Sequence, residues 1–527
     1  MSERTRVALL LAVAMLVYGN ALLNGFTFDD DTYILDNPTV TKLSVRGLFE
    51  PATTDPHHRF FRPTTFATYD LNWAIAGARP FGFHFFNVLL HAAVTLLLYM
   101  VLRKLLEAAA RGTTIAWAAA LLFAVHPIHT EAVASIVGRS ELLAAGFLLA
   151  AWLLHLHDRP ILALVCFVLA LMSKESAVAF VPLALAGDYA RGKLKPLHRY
   201  GWIAGAAVLY MALLWNAQGG RFGEQEVLFL NNPLAKLPAS LRILNALRVA
   251  WKYVGVQVYP AALSCDYSYN AIPLYASWRH TAPAAVAALL VLAAWIWAMW
   301  TKRSEWFLAG AIYLAGFAVT ANILVPTGTI MGERLAYFPS AGFCLFAALL
   351  WMWVEERRRK LAWTVLGIVV VALATRTVVR NRDWRDNFSL FSAGTQAVPG
   401  SAKLHDGLGG EYILRGQRDK ALPELQTAIH IYPNVPVADE NDFRLVYLAA
   451  ELMKLGETDD ALEFLDAEIA NSPGFSLAWS NRAVIRYQRG EITSAREDAQ
   501  NALRLDPANI QAQYLLNSLG APVPFAP

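Results

Sequence analysis

Three adjacent carboxylates, Asp29-Asp30-Asp31, follow the first apolar run of the chain by a few residues. Side by side at a membrane surface they repel one another and give up hydration, so the arrangement is costly without a positive partner or a chemical task. Two readings fit: the mouth of an active site, or an acidic turn at headgroup level, since Asp is also favourable at a helix N-terminus. Further on, cations and carboxylates recur beside apolar segments: Arg62 in Phe61-Arg62-Pro63, then Glu131, Arg139 and Glu141, then Lys174-Glu175 and Glu333-Arg334. Charges at membrane depth are usually paired or functional, although Lys and Arg at span ends also snorkel to lipid phosphates. As a set these residues favour a phosphate and sugar site, because guanidinium and ammonium groups hold phosphate oxygens.

His126 and His129 stand in a His-x-x-His spacing close to Glu131. The zinc-protease pattern is absent and Pro127 disturbs helical placement of the pair, so a structural or hydrogen-bonding role is expected and no metal site. Glu131 and Glu175 are placed with the histidines as structural or substrate-contacting groups. Cys166, Cys265 and Cys344 form no disulfide framework, two of them lying inside apolar runs.

The elements that must position these groups are membrane spans. Of 527 residues 56% are hydrophobic and 16% charged, and the mean hydropathy is +0.37. A chain this apolar is a polytopic membrane protein and no nucleic-acid binder. Windows long enough to cross a bilayer fall near 7–23, 84–102, 114–128, 141–156, 160–173, 176–189, 201–216, 281–300, 305–323, 335–354 and 361–379, about eleven spans. Basic residues cluster in alternate connections, at Arg103, Lys104 and Arg111, at Arg159, at Arg191 to Arg199, at Lys302 and Arg303, and at Arg357 to Lys360. Short basic loops stay cytoplasmic, so the N-terminus is expected inside and everything after residue 380 outside. Two long outer connections, 24–83 and 217–280, fold onto the membrane. The first is expected to carry surface helices at Thr41 to Phe49 and Thr64 to Ile75, the second an amphipathic run from Leu237 to Val258.

The tail differs in charge and period. Residues 401–527 hold 11 Lys and Arg against 18 Asp and Glu, while the rest of the chain is basic. Gly416, Ala421, Ala428 and Pro433 align with Gly456, Ala461, Glu468 and Pro473, and with Gly490, Ala495, Ala502 and Pro507. The repeats start 40 and then 34 residues apart, the second interval being that of tetratricopeptide repeats. Six extra residues in the first interval are placed in Asn434 to Asn441. A half-repeat from Phe388 to Pro399 and a closing helix from Asn509 to Leu519 complete the stack. Its concave face suits an extended peptide or protein partner.

Phe28-Asp29-Asp30 after a first span, Phe61-Arg62-Pro63, the His126 to Glu141 segment, Lys174-Glu175, the run Gly332 to Ser340 and C-terminal repeats together resemble the transmembrane O-mannosyltransferases with tetratricopeptide repeats. The resemblance covers essentially the whole chain. It implies an all-α protein: a multi-span domain of the C type of membrane glycosyltransferases over 1–385, followed by a repeat solenoid over 386–527. It also implies transfer of a sugar, with mannose expected, from a polyprenyl phosphate to a Ser or Thr hydroxyl of a protein outside the cytosol. A bacterial plasma membrane is favoured over the endoplasmic reticulum. Such a displacement needs a carboxylate base and cations on the leaving phosphate, and no cofactor. The resemblance maps the base onto the acidic pair, with Asp30 first, Asp29 positioning it or exchanging roles with it, and Asp31 behind both. Arg62, Arg139, Lys174 and Arg334 become phosphate ligands, with Glu333 orienting Arg334. The competing readings are a catalytically silent membrane scaffold with repeats, and a ligase or polymerase of lipid-linked glycans.

Overall fold

A computed structural model describes residues 1–42, 44, 47–49, 61–217, 227, 229–431, 444–471 and 473–520. All regular structure among them is helical. The chain divides into two compact units, the first made of 1–227, 234–267 and 273–397, the second of 228–233, 268–272 and 398–527.

In the first unit a helix occupies each of the eleven apolar windows. Six are both long and apolar enough to cross a bilayer: Glu3–Leu23, Pro80–Leu105, Arg139–Leu156, Leu197–Ala217, Trp278–Trp300 and Arg359–Trp384. Gly112–Val125 and Pro127–Ala134 make a seventh if the pair, bent by 54°, counts as one span. The other four, Pro160–Leu171, Phe180–Ala190, Ser304–Phe317 and Ser340–Glu355, run to 12, 11, 14 and 16 residues. At about 1.5 Å per residue they fall short of the roughly 30 Å hydrocarbon layer. They are short because segments bearing polar groups, 172–179 and 318–339, interrupt the apolar pattern at their ends. Such backbone is tolerated at depth where protein buries it.

Burial sorts the helices. Gly112–Val125 is buried on nearly every face, from Ile115 to Val125 without a break, as expected of a helix apolar all round at the centre of a bundle. Trp278–Trp300 and Arg359–Trp384 instead present Leu289, Leu290, Ile368 and Val371 outward, an apolar surface that suits lipid and not water. Ion pairs tie one end of the bundle together: Glu3 with Arg103, Glu107 with Lys104 and Arg191, Asp158 with Lys195 and Arg199, and Glu355 with Arg111. Four of the five basic connections grouped by the sequence are thus joined at a common end.

The connections also take shape. The surface helix expected at Thr64 to Ile75 is Pro63–Ala76, started by Pro63 in its first turn, where the missing N–H costs nothing. Of the one expected at Thr41 to Phe49, Pro38–Thr41 and Gly47–Phe49 are helical turns, while residues 43 and 45–46 lie outside the described residues. The amphipathic run in the second loop is the helix Ala239–Val258.

Among the described residues, the second unit holds three antiparallel helical hairpins and a closing helix Ile510–Ser518. The first hairpin pairs Ala402–Leu414 with Arg418–Ile431, the second Arg444–Leu455 with Thr458–Asn471, the third Ser476–Gln488 with Ile492–Leu505. Gly416, Gly456 and Gly490, the aligned glycines, turn each hairpin with φ of 68°, 79° and 80°, the left-handed region that a side chain disfavours. Ala421, Ala461 and Ala495 are fully buried, as are Ala428 and Ala502, so the aligned small residues are where paired helices touch. The aligned Glu468 is buried too. The proposed insertion at Asn434 to Asn441 lies outside the described residues. Asn387–Ala397, the expected half-repeat, groups with the first unit.

Candidate active site

The acidic turn is built by its own backbone. Phe28 has φ of 56°, an uncommon conformation for a bulky residue that tends to mark functional sites. After it Asp30 N–H donates to Thr27 C=O (3.0 Å), and a single π-helical turn, Asp31–Leu35, follows. This geometry separates the three carboxylates. Asp30 is fully buried, one oxygen accepting from Thr27 N–H (2.9 Å) and the other from Val137 N–H (3.0 Å). Burial pushes its carboxyl up to about 7, against the pull of those backbone N–H groups and helped by the nearby Asp29. Asp29 is one-third exposed, with an oxygen 3.9 Å from the Arg334 guanidinium. Asp31 is exposed.

Arg334 is held by Glu131 and not by its neighbour Glu333. Its guanidinium donates to Glu131 (2.6 Å) and its backbone N–H to the other oxygen of the same carboxylate (2.8 Å). The break at Pro127 turns the chain so that Glu131, itself buried, enters the site at the start of Thr130–Ala134. Arg334 stays 30% exposed at its side chain, open to a ligand.

Glu333 leaves in another direction. It is fully buried and accepts from Ser264 N–H (2.6 Å) and the Tyr267 hydroxyl (2.7 Å), with Arg380 at 3.7 Å. Burial raises its carboxyl to about 7, opposed by Arg380. Glu333 therefore ties the 264–267 segment to the last long helix and does not orient Arg334.

Two further ion pairs flank the turn. Arg62 meets Glu175 with both ends of its fork (2.8 and 3.3 Å). Their approach is set by Thr64 N–H to Met172 C=O (3.2 Å) and the Thr65 hydroxyl to Ser173 C=O (3.0 Å). Burial favours the neutral acid, yet the Arg62 and Lys174 charges hold Glu175 down at about 2. Lys174, buried, pairs with Glu141. Burial lowers its ammonium below the ordinary range, opposed by Glu141 and aided by the Arg62 charge. Arg62, Lys174 and Arg334 thus meet the carboxylates Asp29, Glu131, Glu141 and Glu175 in one electrostatic group.

Arg139 stands apart from this group. It is fully buried, donating to Asn87 Oδ1 (2.8 Å), Thr68 C=O (3.1 Å) and Phe83 C=O (3.0 Å), and it lies over the rings of Tyr69 and Phe86. With most of its donors spent on protein acceptors, it braces the Pro63 and Pro80 helices. The histidines also bond within the protein. His126 Nδ1 accepts from Ile128 N–H (3.1 Å) and its Nε2 meets Gln257 C=O (2.9 Å), while His129 Nε2 meets the Ser340 hydroxyl (2.7 Å). Among the described residues, no group of three or more His, Cys, Asp or Glu side chains is arranged to hold a metal ion. The cysteines are free thiols.

Sequence reasoning brought together Asp29, Arg62, Lys174, Glu175 and Arg334. It missed that Glu131 grips Arg334 and that Glu141 partners Lys174. The signal for Glu131 was present in the helix-breaking Pro127 four residues earlier.

No family model matches the chain. Protein O-mannosyl-transferase TMTC3 of Mus musculus is 30% identical over 475 residues, covering 81% of this chain and 51% of that protein. Protein O-mannosyl-transferase F38B6.6 of Caenorhabditis elegans is 29% identical, covering 76% and 59%, and protein O-mannosyl-transferase TMTC1 of Homo sapiens is 27% identical, covering 81% and 55%. The chain spans about half the length of these relatives. Among solved structures, the APC/C hetero-tetramer Cut9-Hcn1 aligns at a TM-score of 0.25 and 14% identity over 86% of this chain and 93% of that one, too distant to bear on the fold. Over about four-fifths of its length, this chain resembles the transmembrane O-mannosyltransferases with tetratricopeptide repeats.

Proposed function

We propose that the chain is a membrane glycosyltransferase that moves a sugar, mannose by similarity to its relatives, from a polyprenyl phosphate to a Ser or Thr hydroxyl of a protein. Asp29 takes the proton of the attacking hydroxyl. The acceptor oxygen bonds to the anomeric carbon as the bond to the lipid phosphate breaks, and the configuration inverts. Arg334, with Arg62 and Lys174 behind it, stabilises the phosphate that leaves. Asp30 holds the turn. This exchanges the roles that the sequence suggested for the two acids, because a base must reach its substrate and Asp30 is buried with both oxygens bonded to backbone.

The observation that carries the reading is the meeting of partly exposed Asp29 and Arg334, the latter gripped from behind by buried Glu131. A base and a phosphate-binding cation preset in one place are what a single displacement on a sugar phosphate requires. In this reading the helices of all eleven apolar windows count as crossings, the four short ones together with the non-helical segments at their ends. The end tied by Glu3, Glu107, Asp158 and Glu355 faces the cytoplasm. The site and the repeats lie outside, and the repeats present the acceptor protein. Residues 1–385, with the helix Asn387–Ala397 that groups with them, form the transferase, and 398–527 the repeat domain.

The test uses purified protein in nanodiscs, a panel of radiolabelled polyprenyl-phosphate monosaccharides, envelope proteins as acceptors, and Asp29→Asn as the paired control. Label on protein from one donor, lost in the variant, is the expected result. Absence of transfer from every donor would overturn the proposal.

A further inference from the structure

Residues 378–391, which leave the last long helix, run alongside the segment that ends in the acidic turn. Asn20 donates to Val378 C=O (2.9 Å), Asn381 donates to Val17 C=O (3.0 Å) and Asn20 Oδ1 (2.7 Å), and Asn24 donates to Asn381 C=O (3.0 Å). Gly25 N–H then bonds to Arg385 C=O (2.9 Å), so closely that a Cβ on residue 25 would come within 3.3 Å of that oxygen. The last bond in the series runs from Phe28 N–H to Asn387 Oδ1 at 2.7 Å, and the Phe28 ring meets Phe391 edge-on with centroids 6.1 Å apart. Asn387 is itself set in place: it opens the helix Asn387–Ala397, and the preceding Asp386 caps that helix by accepting from Ser389 N–H (2.8 Å).

We infer that Asn387 is a positioning residue, whose side-chain oxygen holds Phe28 in its left-handed conformation and so aims Asp29 at the phosphate site. A bulky residue does not keep a positive φ without support from its surroundings. Here the support includes an acceptor supplied from 359 residues away. If the Phe28 peptide relaxes to a common conformation, the direction of the next side chain changes, and Asp29 swings away from Arg334. Asn387 touches neither reacting group in this account. It acts through Phe28, and the inference rests on the proposed role of Asp29.

The experiment compares the full chain with Asn387→Ala and with the double variant Asn387→Ala, Phe28→Gly, since glycine adopts a positive φ without needing the bond. Two readouts are taken: amide hydrogen exchange of peptides covering residues 24–31, and initial rates of sugar transfer. The expected result is faster exchange confined to that segment in Asn387→Ala. The rate constant kcat should fall by up to about 100-fold, as misplacement of a reacting group by an ångström can cause, with donor KM little changed. Phe28→Gly should restore most of kcat. Unchanged exchange over 24–31 in Asn387→Ala would overturn the inference whether or not the protein transfers sugar. A fall in kcat that Phe28→Gly leaves uncorrected would also overturn it. If the unaltered chain transfers no sugar, the glycosyl-transfer reading fails, and with it the aim assigned to Asn387. The exchange data would still decide whether Asn387 holds the turn.

Discussion

Replacing Asp29 and Asp30 one at a time by their amides tests the proposed division between a base and the residue that supports it. Asp29→Asn keeps the size and partial exposure of the side chain and removes its basicity. Loss of a general base slows the chemical step by about a hundred- to ten-thousand-fold. The melting midpoint in detergent should hardly move, because the contact of Asp29 with Arg334 is long and exposed and such pairs contribute little. Asp30→Asn works differently. Above about pH 7, where Asp30 is ionised, its carboxylate accepts two backbone N–H bonds, whereas an amide has one acceptor oxygen, so either Thr27 N–H or Val137 N–H loses its partner inside the protein. A buried donor left unsatisfied costs about 1–3 kcal/mol. Asp30→Asn should therefore lower the melting midpoint and reduce kcat through displacement of the turn. The assay is transfer from the radiolabelled donor between pH 4 and 8, with a thermal melt of each variant. If Asp30→Asn abolished transfer at an unchanged melting midpoint while Asp29→Asn stayed within about threefold of the unaltered rate, against the large losses expected on removing a base, the assignment would be refuted.

Other consequences can be checked alongside. Asp30 holds its proton up to about pH 7 in the folded protein, while an unfolded Asp loses it near its ordinary 3.8. Between those values the folded state binds more protons, so this group adds stability at the acid end that is lost as pH rises through 7. Melts of Asp30→Asn should lack that slope, and an identical slope in the variant would contradict the assignment. Arg139→Met strands the acceptors Asn87 Oδ1, Thr68 C=O and Phe83 C=O in the core and should destabilise by about 3 kcal/mol or more. The donor KM of the protein that still folds should stay the same, and a raised KM would return Arg139 to the phosphate site. Arg334→Lys keeps the charge but gives up the fork, and should raise donor KM roughly tenfold, about the value of one charge-assisted bond. Wild-type kinetics in that variant would remove Arg334 from the site.

The parts of this protein that could be read from the sequence are those whose signal is periodic or repeated. Gly416, Gly456 and Gly490 recur in register with small residues, and each becomes a left-handed turn between paired helices. The apolar windows each hold a helix for the same reason. Asp29, Arg334, Lys174 and Arg62 could be grouped because alternation of basic loops assigns every segment end to one side. What stayed hidden depends on direction over one or two residues. Glu333 and Arg334 are neighbours in sequence, yet in the tight turn Glu333–Ala336 they point to different partners. Asp29 and Asp30 differ only through the backbone of Phe28 and the π-helical turn, neither of which has a pattern in residue types. Arg139 carries the same charge as Arg334, and only the acceptors around it show that its donors are used.

The bond from Phe28 to Asn387 also sets an order of events during synthesis. Residue 28 emerges early, and its partner is made 359 residues later. At typical elongation rates of about 5–20 residues per second, the acidic turn waits for about 20–70 s before it can be locked. The bond to Asn387 forms only once the final long helix is in place and the chain has begun the segment that leads into the repeats.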